Sequence, residues 1–221
     1  GMIFVLFCMV LIMPSEEYET VNYDIPNMRD YYTHIKGNGE DKVTLMVYMV
    51  GSDLESDGGA ASEDIAEMTA ANADNINITL QTGGAAAWEN ASISDGKTER
   101  HIIKNGELQN VENLGEAQMT SPNMLTDFIK WSASNYPADR YELVLWNHGG
   151  GTALGFGYDE MYPDDMLSLS QIGNALSDSG IKFDIVGFDA CLMGTIETAY
   201  MLEPYADYLV ASEEYEPGTG W

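Results

Sequence analysis

Lys42-Val-Thr-Leu-Met-Val-Tyr-Met-Val-Gly51 is a near-continuous apolar run, the pattern of a strand buried on both faces at the centre of a parallel sheet. Ser62 to Ala71 follows with helical spacing, Ser62 serving as N-cap and Ile65, Met68 and Thr69 sharing a face. Asn75 to Thr82, closed by Gly83-Gly84, reads as a second strand. A third, Tyr141-Glu-Leu-Val-Leu-Trp-Asn-His148, follows a helix that has Ser121 as N-cap and Pro122 at its first position. That helix carries Leu125, Phe128 and Ile129 inward and stops before Pro137. Ser168 with Gln171 forms a capping-box signature for a helix buried through Leu169, Ile172 and Leu176 and ended by Gly180. Phe183-Asp-Ile-Val-Gly-Phe-Asp-Ala-Cys191 is the next strand. A helix with Ile196, Ala199 and Tyr200 inward precedes Pro204, and a last strand runs from Asp207 to Glu214. This alternation predicts an α/β fold with a mostly parallel sheet and helices on both faces. Lys104-Asn-Gly-Glu107, between two short β-prone pieces from Ser92 to Val111, adds a small antiparallel hairpin at the sheet edge.

Composition narrows the function. Nine Lys+Arg against 36 Asp+Glu give a net charge of 9 − 36 = −27, which excludes a general nucleic-acid binder because no basic face exists to neutralise phosphates. From Tyr141 onward, Lys182 is the one basic residue against fourteen acidic ones. A cleft built from that half favours cationic side chains. Only Cys8 and Cys191 occur, so there is no disulfide framework.

Met2 to Met13 is apolar, uncharged and closed by Pro14. It is short for a membrane span and lacks the basic start of a signal peptide. It reads as the remnant of a membrane anchor or export signal, or else as a buried segment of the domain. The first reading places the rest outside the cytoplasm, secreted or anchored at the cell surface. Residues 15–41 read as a linker, and 42–221 as the folded domain.

His148 and Cys191 both fall at carboxyl ends of predicted parallel strands, the edge where ligands bind in such sheets. A thiol becomes an effective nucleophile when an imidazole accepts its proton, and the imidazole then returns the proton to the leaving amine. The N–H groups of Gly149 and Cys191 suit an oxyanion hole. Asp189 shares a strand face with Cys191 and is placed either to hold a substrate Arg or Lys or to cap local backbone; Glu213 and Glu214 on the next strand could assist. His34 and His101 read as surface residues. No phosphate-binding loop and no zinc-spaced Cys/His pair is present.

Trp146-Asn-His148-Gly-Gly-Gly151 and Phe188-Asp-Ala-Cys191-Leu-Met-Gly194 resemble the two signature motifs of the clostripain family of cysteine peptidases, which share a caspase-like fold with caspases, gingipains and legumain. The similarity extends to Val47-Tyr-Met-Val-Gly51-Ser-Asp, Gln81-Thr-Gly-Gly84 and Ser212-Glu-Glu-Tyr-Glu-Pro-Gly218. The resemblance implies His148 as general base, Cys191 as nucleophile and Asp189 in a pocket selecting Arg or Lys in protein or peptide substrates. It implies a bacterial, secreted or surface-attached protein. No cofactor is needed for the chemistry. Calcium dependence in the family gives the acidic loop Asp159 to Asp165 a candidate role as cation ligand.

Two departures stand out. Family members are often cleaved after a basic residue between histidine and cysteine; here only Lys182 is available, against a core strand, so no processing is expected there. The family core also continues past the point corresponding to Trp221, so its C-terminal part is expected to be missing here. The expected function is a cysteine endopeptidase working through an acyl-enzyme. The alternatives are an inactive homologue or fragment acting as an extracellular binding module, and a calcium-binding surface module.

Overall fold

The computed structural model describes residues 39–71, 75–218 and 220. The apolar N-terminal segment with Cys8, His34 and nearly all of the expected linker lie outside the described residues. The strands are β1 (Val43–Val50), β2 (Ile76–Gly83), β3 (Thr98–Lys104), β4 (Glu107–Gly115), β5 (Arg140–Trp146), β6 (Phe183–Asp189) and β7 (Ala206–Ala211). The helices are α1 (Ser52–Ser56), α2 (Ala60–Ala70), α3 (Pro122–Asn135), α4 (Gly151–Leu154), α5 (Leu169–Ser179) and α6 (Ile196–Leu202).

All seven strands join one sheet in the order β4-β3-β2-β1-β5-β6-β7. β2, β1, β5, β6 and β7 run parallel, while β3 and β4 are antiparallel additions beside β2. The chain winds outward from β1 to β4, then crosses back to β5 on the other side of β1. The reversal of winding opens a crevice above the carboxyl ends of β1 and β5.

β1 shows why the sheet is buried on both faces. Met46, Tyr48 and Val50 enter the core shared with Leu125, Phe128 and Ile129 of α3 and Ile172 and Leu176 of α5. Val47 and Met49 point the other way, to Ala61 and Ile65 of α2. At about 25 cal/mol per Å², full burial of each such side chain contributes about 1.5–3 kcal/mol. Tyr48 adds a buried hydrogen bond, its hydroxyl donating to the Met119 carbonyl at 2.6 Å.

Local signals were honoured to different degrees. The Ser168 capping box forms with both of its hydrogen bonds, and Gly180 ends α5 in the left-handed conformation. Asn105 and Gly106 both take positive φ (56° and 73°), the backbone a tight two-residue hairpin needs. The hairpin strands run longer than expected, to Gly115, because β4 is a polar edge strand without apolar alternation.

Three expectations are corrected. Ser62 is not an N-cap: α2 starts at Ala60 behind a left-handed Gly59, and the Ser62 hydroxyl instead donates to the buried carboxylate of Glu55. α6 is rotated, leaving Ile196 and Tyr200 78% and 84% exposed while Thr198 and Leu202 face inward. The Thr195 cap, whose side chain accepts from the Thr198 N–H, sets that rotation.

His101 is the third correction, being fully buried in β3 with Nε2 2.9 Å from Thr82 Oγ1. Burial, only partly offset by Glu99, lowers its pKa to about 4. An unfolded histidine takes its proton near 6.5, so from there down to about 4 the unfolded chain binds more protons and stability falls. The loss reaches up to about 3 kcal/mol. His101→Gln should therefore lose less stability than the parent between pH 7 and pH 4.5 in urea unfolding; equal losses contradict this assignment.

Candidate active site

β5 and β6 pair in register with Trp146 opposite Asp189, and His148 and Cys191 each lie two residues beyond that pair. The Asn147 N–H extends the ladder by donating to the Asp189 carbonyl at 3.1 Å. The loops bearing the imidazole and the thiol thus leave the sheet side by side. Gly149 is the point of contact, since a Cβ added there would collide with the Cys191 carbonyl oxygen. His148 and Cys191 line one cavity of ≈ 110 Å³, with Trp146, Asp64, Asp189 and Glu216 among its walls.

Asn147 ties the crevice together. Its Nδ2 donates to the Val50 carbonyl (2.5 Å) and to Ser52 Oγ (2.9 Å), and its Oδ1 accepts from the Tyr158 N–H. One buried amide thereby joins the ends of β1 and β5 to the loop after α4. Ser52 holds a positive φ of 51° directly before Asp53, and Leu192 one of 63° directly after Cys191. Non-glycine residues resist this conformation, and here one such residue borders the acid that meets His148 and the other borders the thiol.

Asp53, from the one-turn α1, places Oδ1 2.9 Å from His148 Nε2. Partial burial raises the Asp53 pKa, but the hydrogen bond and charge of His148 outweigh it and hold the carboxyl below its usual value. An ionised carboxylate only accepts hydrogen bonds, so the proton sits on Nε2 and the Nδ1 lone pair is left free to act as base. Cys191 Sγ is partly exposed and accepts the Glu216 N–H at 3.3 Å.

Asp189 is pushed up to about 7, by burial first and then by the charges of Glu216 and Asp64. Asp64 is raised as well, chiefly by burial, although Trp146 Nε1 donates to it at 2.6 Å. Among the described residues, no Lys or Arg lines the cavity.

The structure brings His148, Gly149, Asp189 and Cys191 together. Glu213 and Glu214 are exposed and outside the cavity lining. The acid that shares the cavity with Asp189 is Glu216, three residues beyond Glu213 and two beyond Glu214. Asp53, Asn147 and Glu216 were not singled out from the sequence. All three do lie within stretches that carried the family resemblance.

In the acidic loop Asp159 to Asp165, the first residue is buried and its carboxylate is taken up by the backbone N–H groups of Met119 and Met161. Among the described residues, no three His, Cys, Asp or Glu side chains are disposed to hold a metal ion. Nor is any helix among the described residues long and apolar enough to cross a membrane.

A parallel sheet that sets an imidazole beside a thiol on its carboxyl edge has the architecture of the caspase-like cysteine peptidases. The sequence profile of the clostripain family matches residues 47–221, and the chain belongs to that family. It is 32% identical to clostripain of Hathewaya histolytica over 221 aligned residues, covering 83% of this chain and 41% of that protein. A secreted C11 cysteine protease of Bacteroides thetaiotaomicron, solved with an irreversible peptide inhibitor, shares the fold at TM-score 0.67 and 23% identity, covering 81% of this chain and 51% of its own. An inactive zymogen C11 protease of Parabacteroides distasonis aligns at TM-score 0.61 and 25% identity, over 81% of this chain and 50% of its own. The chain spans about half the length of the relatives it matches.

Proposed function

We propose that this chain carries the active site of a cysteine endopeptidase that cuts after Arg or Lys, acting on protein or peptide substrates outside the cytoplasm. The observation that supports this most is the β5–β6 register, which sets His148 level with Cys191 and leaves Nδ1 as the free base. In this reading Nδ1 takes the thiol proton as Sγ attacks the substrate carbonyl carbon. The N–H groups of Gly149 and Cys191 receive the oxyanion. The C–N bond then breaks as the imidazolium protonates the departing amine, leaving a thioester. Water, deprotonated by His148, attacks the thioester carbonyl and the thiolate leaves. The unpaired acids around Asp189 favour a cationic side chain next to the cut bond.

Lys182 lies at the entrance to β6 with its side chain 11% exposed and 3.3 Å from Asp207, a poor position for a protease to reach. We infer that no processing occurs between His148 and Cys191; a new cleavage product mapped there would overturn this. The chemistry assigned here uses no cofactor.

Fluorogenic peptides bearing Arg, Lys or Asp before the reporter, assayed with and without calcium, test the function. Turnover confined to Arg and Lys supports it. If no peptide is cut and no thiol-reactive peptide inhibitor labels Cys191, the endopeptidase reading fails in favour of a binding module.

Asp53 acts through His148 and is assigned as a positioning residue. Asp53→Asn should lower kcat roughly tenfold, the mild end of acid–base effects because the pair is half exposed. Loss of the carboxylate also destabilises the imidazolium, so the acidic limb of the kcat/KM profile should move to lower pH. A purely structural Asp53 would lower activity without moving that limb.

A further inference from the structure

The cavity wall opposite Trp146 is the turn Glu216-Pro217-Gly218, which closes through the Gly220 N–H donating to the Pro217 carbonyl at 3.0 Å. This turn lies directly on Asp189: a Cβ built on Gly220 would stand 3.0 Å from Asp189 Oδ1. Glu216 touches the site twice, its backbone N–H on the Cys191 sulfur and its side chain in the lining of the same cavity as Asp189. Two carboxylates that share so small a cavity resist being charged together unless a cation lies between them. One Glu216 oxygen, Oε1, is buried and has no hydrogen-bond donor among the described residues.

We propose that Asp189 and Glu216 together form the specificity pair, sharing one proton while the pocket is empty and releasing it when a guanidinium or ammonium group binds. This rests on the basic-residue reading above and deepens it by giving the pocket a second acid and a coupled proton. The atoms balance simply. The bound proton leaves to solvent, and the substrate cation takes its place between two carboxylates. Burial raises both members of the pair.

The groups facing the pair fit this assignment. α2 contributes Asp64 and Glu67, both acidic, on the same side of the sheet as Asp189. Among the described residues, His148 and Cys191 complete the titratable lining, with no lysine or arginine there to hold both carboxylates ionised. Below about pH 7 the empty pair therefore carries one negative charge, and above it two. Preference for a cation should rise across that interval.

The test compares peptides with Arg and with citrulline, its neutral isostere, at the cleavage position. Their kcat/KM ratio cancels the titrations of His148 and Cys191, which act on both substrates alike. In the parent protein the ratio should climb about tenfold from pH 5.5 to pH 8, one pKa unit of coupling being a factor of ten. In Glu216→Gln the climb should shift to lower pH and the ratio at pH 8 should fall. Agmatine supplies a readout without catalysis: calorimetry in two buffers of different ionisation enthalpy should show close to one proton released per molecule bound at pH 6.5. Glu216→Gln should release clearly less, and Asp189→Asn should bind agmatine poorly. A ratio that favours Arg but does not change with pH, or equal proton release in Glu216→Gln, overturns the pair and leaves the basic-residue reading standing. Equal cleavage of Arg and citrulline peptides at every pH overturns both.

Discussion

Cys191→Ala is expected to lower peptide turnover by roughly 10⁵-fold or more, to background, while leaving the fold intact. The thiol makes one hydrogen bond, from the Glu216 N–H, and is only partly buried, so its removal should cost no more than about 1 kcal/mol. Activity and stability therefore separate cleanly at this position. His148→Ala should fall to a similar floor. The double variant should be no worse, because the two side chains perform one proton-transfer and attack sequence and their losses do not add. Measurable peptide cleavage by Cys191→Ala, free of contaminating protease, would remove the nucleophile assignment.

Gly149→Ala is expected to lower activity by a different route. The residue gives up no charge, no hydrogen-bonding side chain and no unusual backbone angle. What it gives up is clearance, since the added methyl would occupy the position of the Cys191 carbonyl oxygen. Backbone on both sides must move apart, and that backbone carries the imidazole on one loop and the thiol on the other. A misplacement on the order of 1 Å between reacting groups costs about 10²-fold in rate. The overpacking itself should cost about 1–3 kcal/mol. Steady-state kinetics with thermal unfolding resolve the two effects; kcat/KM within about threefold of the parent would show that the loops tolerate separation.

Much of this protein can be read from its sequence because its strongest signals are local. The strand of Lys42 to Gly51 needs only its own apolar run. The capping box at Ser168 needs only residues three apart, and the position of His148 and Cys191 at strand ends follows from where apolar runs stop. The misread parts depend on what lies across the fold. His101 sits in a polar stretch, Thr98–Lys104, and is buried only because β3 is covered between β2 and β4. α6 has seven residues, too few for periodicity to outweigh the rotation imposed by Thr195. Asp53, Asn147 and Glu216 gain their roles from side chains 95, 95 and 25 residues away, separations at which local patterns carry no signal. Glu213 and Glu214 drew notice as acids near the last strand. The segment turns after them, so that Glu216 faces inward instead.

The β5–β6 register also bears on how such a chain is made. During synthesis His148 leaves the ribosome well before Cys191, and the intervening α5 must fold across the sheet before β6 can lie beside β5. Until that pairing closes, the newborn polypeptide holds an imidazole and a thiol with nothing to bring them level. The juxtaposition of imidazole and thiol is a product of folding and exists only once the sheet is complete.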